Sequence, residues 1–223
     1  MCSQLLSFVF ARKTRQGGFT LVELLVVIGI IAILAGVALG PITGGIRKAQ
    51  QSSGVQTSRT IAVSEFQYAN DNNSSYPDAS GGTAQNVARL LLAGTYISDP
   101  GLFFVNGSTL ETKYTGTAPA TGILQANISW DFAGNGGNGV NPNAPDQLPI
   151  VWSSVASGSE PALATTGAIP ITLASSMPFG VYGIAVTYKS NSAKFVILPS
   201  GAPNLTDASF PGYASATILP GGG

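Results

Sequence analysis

Arg15-Gln16-Gly17-Gly18-Phe19-Thr20-Leu21-Val22-Glu23-Leu24-Leu25 leads into a run in which no residue from Leu24 to Ile46 carries a charge. At about 1.5 Å per residue, such a run crosses a hydrocarbon core of ~30 Å as a single helix. A secretory signal places its small-residue cleavage site after a shorter apolar core. Here the basic residues Arg12, Lys13 and Arg15 and the Gly17-Gly18 pair all come before the core, and Ala35-Gly36 is the one later small-residue site of that kind. Basic residues ahead of the span predict that this end stays cytoplasmic and that the bulk of the chain lies outside, with a transmembrane stretch of about residues 21–42.

Glu23 is the exception in this apolar surrounding. An ionised carboxylate in a membrane helix costs about 2.5–3.5 kcal/mol, so it calls for a specific cation or a place close to the interface. Arg12, Lys13 and Arg15 lie beyond a helix-breaking glycine pair and do not share a helix face with it. A cation from outside the folded subunit meets the need. Cutting the chain between Gly18 and Phe19 creates an α-amino group that a neighbouring copy could supply.

Gly18-Phe19-Thr20-Leu21-Val22-Glu23, followed by Leu24 to Leu39, resembles the N-terminal signature of type IV pilins and type II secretion pseudopilins. The resemblance is close over about residues 12–45. It implies that a prepilin peptidase cleaves after Gly18 and N-methylates Phe19, and that Glu23 docks each subunit into a growing helical filament. It also implies the remaining partners: copies of the chain, other pilin-like subunits, an inner-membrane assembly platform and membrane lipid. Pro41 stands one residue beyond the place where the family often has a proline, so a bend is expected one residue later. Gly29, Gly36 and Gly40 lower helicity, and residues 36–45 are the expected place for the helix to loosen.

Of 223 residues only 9% are charged, and removing residues 1–18 takes away three basic side chains, leaving seven basic and ten acidic ones, a net charge of −3. Clustered Lys and Arg, the footprint of a nucleic-acid binder, are missing. Cys2 is the only cysteine and falls in the leader, so no disulfide is expected beyond it. With no histidine in the sequence, a Ser-His-Asp triad and most zinc sites are excluded, and an enzyme is not expected. A Gly-x-Gly-x-x-Gly string at Gly134, Gly136 and Gly139 precedes Asn141-Pro142, which cannot open the helix that nucleotide binding requires. The same loop offers hard oxygens from Asp131, Asn135, Asn138, Asn141, Asn143 and Asp146. Calcium takes such donors, with Asp131, Asn135 and Asp146 as its candidate ligands, although the spacing matches no defined calcium loop.

Beyond the span, Val55, Ala62, Phe66 and Ala69 recur at helical spacing, and Asn70 to Ser75 with Tyr76-Pro77 form a stop signal. One helix is expected over residues 19–70. A short second helix is expected over residues 84–93, capped by Thr83 or the glycines before it and ended by Gly94. Period-two alternation over residues 123–132 predicts a strand, with further strands at residues 102–105, 149–152, 181–188 and 194–198. Trp130 and Trp152 fall at core positions of this pattern. The Tyr76-Pro77-Asp78 turn and the hairpin of residues 183–196 resemble, more loosely, the globular part of pilin-like proteins. The expected class is α+β: a long N-terminal helix packed on an antiparallel sheet of three to five strands. The expected parts are a leader over residues 1–18, the helix over 19–70, and an extracytoplasmic β-rich domain over 71–223 with a loose tail. The implied role is a filament subunit of a secretion pseudopilus or a pilus. The alternative is a membrane-tethered minor pilin or exported binding module.

Overall fold

A computed structural model of the chain describes residues 18–77, 83–134, 140, 142–154, 169–170, 175–197, 204–205 and 217–219. Two compact units divide at Gly45/Ile46. Helix α1, Leu21–Asp71, supplies the first unit's described helix and continues into the second. It remains helical through Gly36 to Gly45 and through Pro41, where the loosening was expected. Pro41 has no N–H to give to the carbonyl four residues earlier, yet one missing bond does not end a helix whose neighbours are all made. The Thr43 hydroxyl adds a bond to the Gly40 carbonyl at 2.9 Å.

In the second unit a five-stranded antiparallel sheet has the order β5-β4-β2-β1-β7. Its strands are β1 (Trp130–Gly134), β2 (Pro149–Ser153), β4 (Gly183–Tyr188), β5 (Ala193–Ile197) and β7 (Thr217–Leu219). Two short strands, β3 (Ile169–Pro170) and β6 (Asn204–Leu205), pair separately. The long helix and the antiparallel sheet make the class α+β, as expected. The tail, expected to be loose, contributes β7, which pairs Leu219 with Phe132 and Thr217 with Gly134.

The core joins Ile61, Ala62 and Ala69 of α1 to Trp130, Phe132, Val151, Trp152, Ile184 and Val186 of the sheet. Both tryptophans are buried, as their strand positions predict. The inner face of α1 runs through Gly54, Ser58, Ile61, Ala62, Glu65 and Ala69, so Phe66, expected on it, is exposed. Small and polar residues form much of this face, and an apolar pattern does not register them. Ser58 Oγ meets Thr187 Oγ1 of β4 at 2.8 Å, and Gly54 lies under the Phe179 ring.

Helix α2 (Ala84–Ala93) starts as expected, with the Asn86 N–H donating to Thr83 Oγ1 at 3.3 Å. Gly94 caps its end at an ordinary φ, while Thr95 takes the left-handed conformation at φ 59°. The strand expected over residues 102–105 is a 3-10 turn from Pro100 to Phe103, because Asp99 Oδ1 accepts from the Gly101 N–H at 2.8 Å and Pro100 fits a first helical position. The strand expected over residues 123–132 forms only from Trp130. A short helix α3 (Pro119–Gly122) and a 3-10 turn over Gln125–Asn127 precede it. Asn127 makes that turn: its Oδ1 accepts from the Leu124 N–H at 2.9 Å, and its Nδ2 donates to the Thr112 carbonyl at 2.8 Å. Ile123 and Ile128 go inward and Leu124 outward, which breaks the alternation.

Glu111 is a buried fastening point. Its carboxylate accepts from the hydroxyls of Ser108, Ser129 and Ser154, the last two at 3.2 Å. Burial pushes its pKa up, and the three hydroxyl donors pull it back in part. Ser129 Oγ also accepts from the Val105 N–H at 3.1 Å, so one cluster ties the loop at residues 105–111 to the strand ends.

Candidate N-terminal processing and assembly segment

Gly18, Phe19 and Thr20 are exposed, irregular backbone, and α1 begins immediately after them at Leu21. The Gly18–Phe19 bond therefore lies outside the helix. A Cβ at Gly18 would meet nothing within 4 Å.

Thr20 is the N-cap of α1. Its N–H and its hydroxyl donate to Glu23 Oε2 at 2.9 and 2.7 Å, and the Glu23 N–H donates to Thr20 Oγ1 at 3.2 Å. This reciprocal arrangement is a capping box, which satisfies donors that the first turn of any helix leaves unpaired. The positive end of the helix dipole favours the carboxylate at the same place. The cap is a feature that reading the run for charge alone passes over, although Thr-x-x-Glu before an apolar run is its sequence signal. Glu23 is thus both the helix's own cap and the one carboxylate within its apolar stretch.

From Leu21 to Ile46 the large apolar side chains of α1 are exposed, and none of the described residues buries any part of the most apolar window. The helix is long and apolar enough to cross a membrane. A contiguous apolar surface of this size requires cover from lipid or from other helices. Gly36, Gly40 and Gly44 stand four residues apart, on one face, with nothing within 4 Å of a Cβ built on any of them. Small residues at that spacing let another helix approach closely, so residues noted for lowering helicity also shape a packing face.

The candidate calcium ligands are placed differently from one another. Asp131 is buried in β1 opposite Trp152, whereas Asp146 is exposed in a turn with Lys189 Nζ 3.9 Å from its Oδ1. Asn135 lies outside the described residues. Lys189 Nζ also donates to the carbonyls of Pro142 and Ala144, both at 2.6 Å, so a cation of the protein already occupies this turn. Among the described residues, no group of three or more His, Cys, Asp or Glu side chains gathers.

Comparisons of the chain with curated proteins and with solved structures return no match. A family model does match the segment just described. Residues 13–39, which hold the Gly18–Phe19 bond, the capping box and most of the apolar run, match the model of a prokaryotic N-terminal methylation motif, a segment similar to the signature of type IV pilins and pseudopilins.

Proposed function

We propose that this chain is a pilin-like structural subunit. A prepilin peptidase cuts it between Gly18 and Phe19 and methylates the new amino group of Phe19. The subunit then assembles into a type II secretion pseudopilus or a type IV pilus-like filament. Before assembly it is held in the inner membrane by α1, with the leader cytoplasmic and the second unit outside. Its partners are further copies, other pilin-like subunits and the assembly platform.

One observation carries this reading: the apolar surface of α1 from Leu21 to Ile46 has no cover among the described residues and contains one carboxylate. Lipid covers it in the single subunit, and the helices of other copies cover it in a filament. Thr20 holds Glu23 Oε2 from two donors, so the carboxylate is oriented before a neighbour arrives. The α-amino group of Phe19 from that neighbour then pairs with it, turning a costly lone charge into a device that fixes axial register.

Replacing Glu23 by Ala tests this directly. The variant is expected to reach the membrane and to be cleaved after Gly18, as mass spectrometry of its N-terminus reads. Electron microscopy of the cells should find no filaments containing it. Filaments at normal number and length from Glu23→Ala would overturn the mechanism.

A further inference from the structure

Arg47 and Lys48 are the first charged residues after Glu23, so they mark where the apolar run ends. Arg47 does not stand alone: its guanidinium lies 3.9 Å from the centroid of the Tyr182 ring. Tyr182 belongs to the 3-10 turn Gly180–Tyr182 that leads into β4. Along β4 the next tie to α1 is Ser58 Oγ with Thr187 Oγ1. Eleven helical residues separate Arg47 from Ser58 and five extended residues separate Tyr182 from Thr187, each a rise of about 16 Å. Strand β4 therefore climbs beside α1 from the level of Arg47, and Gly183 pairs with Ile197, which brings the end of β5 to the same level. The turn at residues 189–192 lies at the opposite end of this hairpin, roughly 20 Å away.

The end beside Arg47 is apolar and open. Ile46 is 55% exposed, Val181 48%, Tyr182 43% and Ile197 76%. Tyrosine with a basic residue over its ring, bordered by aliphatic side chains, is the composition of a membrane interface, where aromatic rings sit at headgroup level and Lys and Arg reach phosphates.

We infer that the open end of the β4–β5 hairpin, through Val181, Tyr182 and Ile197 with Arg47 and Lys48, rests on the phospholipid surface at which the span ends. The occupant is lipid because the patch includes Arg47 and Lys48, the residues at which the apolar run ends in the sequence, and because these two cations complement anionic headgroups. This rests on the membrane reading of α1. It adds a second, peripheral contact through which the second unit meets the bilayer before assembly.

The test uses the full chain carrying Cys2→Ser and one nitroxide-labelled cysteine at a time, Val37→Cys, Val181→Cys or Ser190→Cys, in vesicles of phosphatidylethanolamine and phosphatidylglycerol. Collisions with dissolved oxygen and with a water-soluble nickel chelate read the depth of each label. The label at 181 is expected to be several-fold less accessible to nickel than the label at 190, and the label at 37 to lie in lipid. Adding Arg47→Glu with Lys48→Glu, or using zwitterionic lipid alone, should move 181 towards the value at 190. A label at 181 as accessible to nickel as that at 190, while 37 is in lipid, overturns the inference and leaves the membrane reading intact. Protection of 181 only at high protein-to-lipid ratio also overturns it, since the cover is then a second copy. An aqueous label at 37 overturns the membrane reading, and this inference with it.

Discussion

Glu65 sits on the inner face of α1, 2% exposed, and its Oε2 has no hydrogen-bond partner among the described residues. Burial alone pushes its carboxyl well above the ordinary value of 4.5. The nearby Tyr76 phenol is pushed up to about 12 by its own burial and by the charges of Glu65 and Asp146, so it keeps its proton throughout the neutral range. The folded chain thus retains a proton on Glu65 that the unfolded chain releases near pH 4.5, and folding loses stability as pH rises from there towards the folded-state pKa. Chemical denaturation of the wild type and of Glu65→Gln should give a gap that widens in favour of the variant between pH 4.5 and 7. Glu65→Met should be more stable than the wild type by about 1–3 kcal/mol at pH 7, because it leaves no polar group unsatisfied. A gap independent of pH would mean that Glu65 ionises freely in the fold.

At the scale of elements, the contact between α1 and the turn before β4 depends on Gly54. A Cβ there would run into the tip of the Phe179 ring, which itself packs edge-on against Phe195 with centroids 5.4 Å apart. Alanine gains up to ~1 kcal/mol over glycine inside a helix, but overpacking a fitted ring costs about 1–3 kcal/mol. Gly54→Ala should therefore lower the melting temperature of the full chain in detergent by several degrees. An unchanged or raised value would show that Phe179 moves aside at little cost.

The same contact explains what the sequence made legible among these elements. Helix α2 follows from its apolar period and its caps, and strands β2 and β4 follow from short apolar runs bounded by turn residues, since α2 buries one side while β2 and β4 are buried at every residue. The inner face of α1 does not, because Gly54, Ser58 and Glu65 carry no apolar signal, and the first two meet a ring and a hydroxyl from more than a hundred residues away. Residues 123–129 mislead in the opposite direction: they alternate like a strand, but the side chain of Asn127 closes them into a turn. For the N-terminal segment, Glu23 stands out from charge and length alone, and the proposed cleavage at Gly18–Phe19 comes from the resemblance to pilins. Thr20 is legible too, as the first residue of a Thr-x-x-Glu capping signal, but a reading for charge passes over it until its two donors are seen on one carboxylate oxygen.

On the scale of the whole molecule, the two units carry different obligations. The first offers an apolar surface that none of the described residues covers, while the second closes its own core and needs no cysteine to do so. The sheet beside that core is completed by a late segment. Strand β7 at 217–219 lies against β1, more than eighty residues earlier, and occupies the hydrogen-bonding edge of the sheet on that side. Removing residues 217–223 would bare the outer amides and carbonyls of β1, and a bare strand edge accepts any extended chain that reaches it. Sedimentation of the shortened protein should then show association that grows with concentration, whereas a monodisperse product would mean that β1 tolerates an open edge. A tag placed close behind Leu219 would crowd this edge strand, so tags on this protein belong in an exposed turn such as Ser190–Ser192, at the far end of the β4–β5 hairpin.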